Sequence, residues 1–486
     1  VQDQPLQEQA VAPGPEKYRA IAVLPFADMS EEGDQAWFAE GIAEELLHAL
    51  AAVEGLRVMA RTSSFVFRGT DKTIEQIAEI LGVQAVLEGS VRRFGDRVRI
   101  TAQLVDASSG YHIWSGSYER ELDDIFQLQD ELAKSIVKTL RVQLGAEHAD
   151  PLITAQTENL EAYEWFLRGR ALTDWGNPDR VYQSVINLER AVELDPNYAL
   201  AWSYLSFARL TSVLYRRFDD VSPRVVSAYE RALILDPEQS MALAVKALMT
   251  QISSYNYEYA GRLYRQSIKF RSDALAVGAY SFWYLVAIDQ GERAIELMRQ
   301  AEKLDPLHSG LKNNFTMLLR VLGKTEEAAL KVQQVLQVDP RHEMALMNLI
   351  YLHAKTGKFT EIEQILQTMP PALLERPRTK LHIGLYHAER GNEQEARDIY
   401  TQLLEEPHDY PFPFFASLAL KLGEVEQAID LMEREIENKA FTLFWIRPLF
   451  RHEEALREHP RYLALLKRIG LDDESVRLLN SRMSLD

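Results

Sequence analysis

The tripeptide Leu-Asp-Pro and one close variant recur at Leu194-Asp195-Pro196, Leu235-Asp236-Pro237, Leu304-Asp305-Pro306 and Val338-Asp339-Pro340. Each closes a stretch whose apolar residues have helical spacing. The four prolines lie 41, 69 and 34 residues apart, and 69 is two periods of about 34 with a degenerate unit ending near Arg271 and Ser272. Further punctuation falls at Pro370, Pro407 and about Asn438. No property of the chain restricts its fold more. A unit of this size cannot bury its own apolar face, so successive units must stack and share one core.

Within the units, small residues stand twelve positions before the closing proline (Ser184, Ala294, Ala328, with Ala260 equivalent) and five before it (Ala191, Ala232, Ala301), where two helices can approach closely. Glycines at 291, 323, 357, 391 and 423 mark the turn between the helices of a unit, where a left-handed residue is wanted. Position by position this resembles the tetratricopeptide repeat. The resemblance implies an all-α superhelical solenoid of about eight hairpins over residues 155–440, with the first helix of each hairpin on the concave side. The first two units depart from the pattern through DWGNPDR and YRRFDDVSP, which predict splayed hairpins or exposed loops. Residues 441–486, with FTLFWIRPLF and HPRYLALLKRIGL, are expected to cap the open end of the stack.

The first part of the chain has a different rhythm. Residues 1–17 (VQDQPLQEQAVAPGPEK) carry too little apolar surface to order themselves and read as a flexible linker. Residues 18–147 read as an α/β domain, a mixed sheet with helices packed on it. A buried strand AIAVLPF is followed by an amphipathic helix from Asp34 to Ala52, with Phe38, Ile42, Leu46 and Leu50 on one face. A strand at Leu56–Ala60 and a helix ending at Gly82 come next. Two strands, Ala85–Phe94 and Arg97–Asp106, meet at Gly95-Asp96, and a third runs from Tyr111 to Tyr118. A helix from about Asp123 to Leu144 closes the domain. The run VLEGSVRRFGDRVRITAQLVDASSGYHIWSGSYERELDDIFQLQDELA, with IAVLPFADMS and FAEGIAEELLHAL, resembles the TolB amino-terminal-like, FlgO-related domain over about residues 20–144. That resemblance implies a binding or scaffolding domain without catalytic residues. It also implies the setting of bacterial membrane-tethered transcriptional regulators (CadC/ToxR-type) and class III adenylate cyclases, between an upstream effector with a membrane helix and a downstream repeat array.

Composition removes several functions. The net charge of -18 argues against a surface built to neutralise nucleic-acid phosphates, so no nucleic acid is expected to be bound by this segment. With no cysteine there is no thiol catalysis, disulfide or cysteine zinc site. No apolar run reaches membrane-helix length, and the chain lacks an initiator Met, so membrane association is expected only through a missing upstream helix. His382 with His387, and His452 with His459, lack the i, i+4 spacing of a helical zinc site and read as solvated or capping residues. Glu44 and Glu45 read as a solvated polar face. No catalytic residue, cofactor or metal is predicted, and the chain reads as a non-enzyme. The aromatic cluster Tyr255, Tyr257, Tyr259, Tyr264, Tyr280, Phe282, Trp283 and Tyr284 is read first as inter-helix core and second as a groove anchor.

The expected partner is a protein or peptide on the concave repeat surface, with a homo-oligomer also open. By repeat position that surface would show Asn313, Met317, Arg320, Met347 and Tyr351. The expectation is a sensory or scaffolding ectodomain of a bacterial membrane-anchored regulator, periplasmic and tethered to the inner membrane. A periplasmic assembly factor without signalling output, or a cytoplasmic location, is the alternative.

Overall fold

In the computed structural model the chain divides into two compact units, Val1–Glu158 and Asn159–Asp486. The structure describes residues 20–30, 36–51, 53, 56–121, 128, 131–136, 138–139, 157, 159–172, 178–212, 218–270, 274–306, 308–338, 340–405, 413–440 and 442–483. The expected linker, most of the helix expected over 123–144, and the punctuation at Arg271, Ser272 and Pro407 lie outside these residues.

The first unit is built on a mixed sheet of β1 (Ala20–Val23), β2 (Ala27–Asp28), β3 (Arg57–Val58), β4 (Ala85–Phe94), β5 (Arg97–Asp106) and β6 (His112–Glu121), in the order β3-β1-β4-β5-β6, with β2 extending the β4 pairing. β1 runs parallel to both neighbours, and a strand flanked on two sides and covered must be apolar at every position; all four of its residues are buried. β4 and β5 form an antiparallel hairpin whose register places Phe94 opposite Arg97. Gly95 takes the left-handed conformation this turn needs at its first position (φ 61°). Along β5 Val98, Ile100, Ala102 and Leu104 are fully buried while Arg97 and Arg99 face solvent and pair with Glu119 of β6. α1 (Ala36–Ala51) and α2 (Ile74–Leu81) supply helical cover, α2 being closed by a Thr73–Gln76 capping box and a left-handed Gly82.

Glu44 and Glu45 are not solvated. α1 is buried nearly all round, and Glu40, Glu44 and Glu45 are each less than a tenth exposed. Ion pairs offset that burial: Arg61 Nε lies 3.0 Å from Glu44 Oε2, and Arg68 pairs with Glu40. Burial still pushes the Glu40 carboxyl upward, with Arg68 and Arg61 opposing. The partners come from the stretch that follows β3, which forms a helical turn at Arg61–Ser64 and a 3-10 turn at Phe65–Phe67.

The second unit is a succession of helix pairs, and among the described residues there are eight. Hairpin 1 is Leu160–Ala171 with Pro178–Leu194, hairpin 2 Ala199–Ser212 with Phe218–Leu235, hairpin 3 Ser240–Ser254 with Tyr257–Phe270. Hairpin 4 is Ala274–Leu285 with Gly291–Leu304, hairpin 5 Ser309–Val321 with Thr325–Val338, hairpin 6 Glu343–Lys355 with Phe359–Thr368. Hairpin 7 is Pro377–Arg390 with Glu393–Glu405, and hairpin 8 Pro413–Lys421 with Val425–Glu437. The Asp-Pro punctuation has a local cause. Asp195 and Asp236 accept hydrogen bonds from the N–H two residues on, at 2.9 and 3.0 Å, while the following proline cannot extend the helix. Ser184, Ala260, Ala294 and Ala328 are fully buried between paired helices. In hairpin 2 the second helix begins at Phe218 and carries Pro223 within it, so most of FDDVSP is helical rather than inter-helix loop.

Hairpin 4 is irregular. Its first helix widens into a π-helical turn over Tyr280–Leu285, and the Trp283 carbonyl in that turn accepts a hydrogen bond from Gln251 Nε2 of hairpin 3 at 3.0 Å. Gly291 does not hold the left-handed position expected of it; Asp289 does, at φ 62°. Most of the aromatic cluster is core: Tyr257, Tyr264, Tyr280, Phe282, Trp283 and Tyr284 are buried, with Tyr264 and Tyr280 stacked at 5.6 Å between centroids, whereas Tyr255 is half-buried and Tyr259 is exposed.

The terminal segment does more than cap hairpin 8. Arg461 binds Asp430 and Glu433 there, at 2.6 and 2.8 Å. The same segment also reaches hairpins 3 and 4. Trp445 packs edge-on against Phe282 at 4.8 Å, Asn480 donates to the Ile288 carbonyl at 3.0 Å, and Arg447 donates to Asp289 Oδ2 at 2.6 Å. A stretch as aromatic as FTLFWIRPLF would leave one face in water on a terminal hairpin alone; packing between two parts of the array buries both.

Candidate peptide-binding surface

The first helices of hairpins 5, 6 and 7 lie side by side, and side chains one repeat apart meet across them. Asn348 Nδ2 donates to Asn313 Oδ1 at 2.9 Å, bridging two hairpins at the same repeat position. Arg320 Nη1 donates to Asn348 Oδ1 at 3.0 Å, and its guanidinium lies 4.1 Å from the Tyr351 ring centroid. The next hairpin continues the two rows with His382 and Glu389. His382 binds the Arg378 carbonyl through Nδ1 at 2.8 Å, and Glu389 accepts from Lys355 at 2.6 Å and pairs with Lys421 at 3.1 Å.

Burial, with Arg320 and Arg378 nearby, pushes the His382 imidazole down to about 3, so it is neutral and its Nδ1–H donates to the carbonyl. Burial works against the charges of Lys355 and Glu389, but their mutual hydrogen bond holds Lys355 above, and Glu389 below, their ordinary ranges.

The five predicted residues fare differently. Arg320 and Tyr351 are partly exposed and stacked on each other. Asn313 is 5% exposed, its amide oxygen taken by Asn348. The two methionines are corrected to core: Met317 packs in the main cluster of the array, and Met347 joins Ile350, Ile362, Met369 and Tyr386. Met347 lies one residue from Asn348, which at 100° per residue turns it inward, whereas Met317 shares the helix face of Asn313 and Arg320 and is buried on it. The sequence expectation missed Asn348, His382, Lys355 and Glu389. Their spacing from Asn313 and Arg320, 35 and then 34 residues, was the available signal. Among the described residues no three His, Asp or Glu converge as a metal site, and no helix is long and apolar enough to cross a membrane.

The hairpins define a helical-repeat array of the tetratricopeptide type behind a small α/β unit. In comparison with known proteins, no family model matches the chain. It is 40% identical over 195 residues to the protein called Putative adenylate cyclase 3 from Rhizobium meliloti (strain 1021), a match covering 40% of this chain and 33% of that protein. The chain thus spans about a third of that relative. Among solved structures, PilF of Pseudomonas aeruginosa is similar at 17% identity and TM-score 0.35, over 48% of this chain and 98% of PilF. YrrB, a TPR protein with an unusual peptide-binding site, gives 16% and 0.25 over 44% and 97%. Human IFIT1 with PPP-AAAA gives 12% and 0.46 over 95% and 98%. The fold assignment rests on the hairpins themselves.

Proposed function

We propose that the chain is a non-catalytic scaffold that binds a protein or an extended peptide on the face formed by the first helices of hairpins 5 to 7. The observation that carries this reading is the cross-hairpin row Asn313–Asn348 with Arg320 stacked on Tyr351. The buried amide pair holds the Arg320 guanidinium over the Tyr351 ring, and this partly exposed guanidinium and phenol offer fixed donors that suit a peptide backbone crossing the helices. In its finer form the reading is an ectodomain of a bacterial membrane-anchored regulator, in the periplasm. The likeness to part of a protein named as an adenylate cyclase supports attachment to such an effector. A dodecamer peptide selected on the whole chain from a random library tests the surface. Tyr351→Ala should weaken its binding by about tenfold or more, with thermal unfolding little changed. Selected peptides that bind the variant as tightly as the native chain would remove this face from the proposal. Asn313 and Arg320 are left intact in that test, because the loss of either would strand the buried Asn348 amide.

A further inference from the structure

Helices of the array end repeatedly in one way. At Gly323, Gly391 and Gly423 a left-handed residue follows the last turn, and the next N–H closes back on the helix, as in Lys324 N–H to Leu319 O at 2.8 Å. Glycine is the residue for this position because it alone takes positive φ without strain. Three described residues break that rule, Tyr255 (φ 55°), Asp289 (φ 62°) and Lys439 (φ 48°). Lys439 occupies the same cap, with Ala440 N–H donating to Glu435 O at 2.9 Å. Backbone strain of this kind persists where the side chain is needed.

The first two side chains have partners where the array meets its own terminal region. Tyr255 donates to the Ile436 carbonyl at 3.3 Å, and Asp289 binds Arg447 and Arg451. The Lys439 side chain, exposed at the same seam, has no ion-pair or hydrogen-bond partner among the described residues. It lines a cavity of about 450 Å³ with Pro223, Val226, Tyr229, Met249 and Ser253. Ser222 also lines it, and its hydroxyl, like those of Tyr229 and Ser253, has no described partner. Burial and the Glu230 charge push the Tyr229 hydroxyl up to about 12, which keeps it a donor. The volume is that of a small-molecule pocket. Its chemistry is one cation with hydroxyl donors at an apolar wall, while Glu230 on the lining disfavours a polyanion.

We infer that this cavity is a binding site for a small monocarboxylate with an apolar body, held at Lys439 and packed against Val226 and Met249. The site is separate from the peptide surface and does not rest on it. Because its walls come from hairpins 2 and 3 and from the end of hairpin 8, an occupant would brace the closure of the array.

The test is titration calorimetry of the whole chain with 3-phenylpropionate and 4-methylpentanoate, against the matching amines and alcohols. The acids should bind and the amines should not. Lys439→Gly should weaken acid binding by about tenfold or more, yet melt at or above the native temperature because it relieves the left-handed strain. Val226→Trp, which fills the cavity, should abolish binding. Absence of acid binding at millimolar concentration, equal binding of the amines, or unchanged affinity in Lys439→Gly would each overturn the assignment.

Discussion

Hairpins 5 to 7 and hairpins 3 to 4 solve the same packing problem with different means. In the first group each first helix ends at a left-handed glycine (Gly323, Gly357, Gly391), first helices repeat at 34 or 35 residues, and polar rows Asn313–Asn348 and Lys355–Glu389 run across them. In the second group a helix end carries Asp289, a π-helical turn replaces regular helix, and the aromatic core makes contact with residues more than 150 positions away. Regular hairpins interact with their neighbours alone, as a one-dimensional array does. The irregular pair is where the array departs from that scheme and binds its own terminal segment. The comparison teaches that irregularity marks the long-range contacts.

The difference can be broken most directly at Trp283, 2% exposed in the π-helical turn. Trp283→Ala should cost about 3–5 kcal/mol in chemical denaturation, and it should loosen residues 441–483 as well as hairpin 4. Hydrogen exchange that rises in hairpin 4 alone would show the terminal segment to be independent. Asp289→Ala is the polar counterpart. Arg447, 9% exposed on its side chain, would keep Asp473 and the Leu471 carbonyl but lose its closest carboxylate. The expected loss is about 2 kcal/mol, read from the denaturation midpoint. A change under a few tenths would mean that the aromatic contacts alone hold the seam.

How much of this was legible in sequence follows the same division. The regular hairpins could be read because a buried small residue, a left-handed glycine and an Asp-Pro stop are local requirements that each unit must meet for itself. The closure of the terminal segment on Phe282 and Asp289 has no local signature; a hydrophobic FTLFWIRPLF is as consistent with a lid on hairpin 8 as with a clasp. In the first unit, β4 and β5 were plain from alternation and the Gly95 turn. The burial of Glu44 was not, because a carboxylate reads as solvated until its partner, Arg61, is brought near by tertiary structure. At the candidate surface, repeat position picked out Met317 and Met347, which packing buries, and passed over Asn348 and His382, which stand 35 and then 34 residues on from Asn313.

His382 offers a pH test confined to the regular hairpins. Its imidazole is held down to about 3, against an ordinary value near 6.5. A depressed histidine stabilises the fold while it is neutral in both states. That contribution is lost as pH falls below about 6.5 toward 3, where the unfolded chain takes the proton and the folded chain does not. Between pH 6.5 and 5 the native chain should lose about 1–2 kcal/mol more than His382→Gln, measured by urea denaturation at each pH. Equal losses would place the ring in solvent rather than against Arg320 and Arg378.

The smallest effect sharpens the comparison furthest, because it exchanges the two helix ends. A Cβ at Gly357 (φ 70°) would meet no atom within 4 Å, so Gly357→Lys carries only the cost of a left-handed side chain, about 1 kcal/mol. Lys439→Gly should return about the same amount. If the left-handed position is strained alike in hairpin 6 and at the end of hairpin 8, the double variant melts close to the native chain, since the sites share no partner and their effects add. If Lys439→Gly instead destabilises, the lysine contributes to closure through the protein itself. The strain at Lys439 would then be offset by packing rather than retained for a ligand.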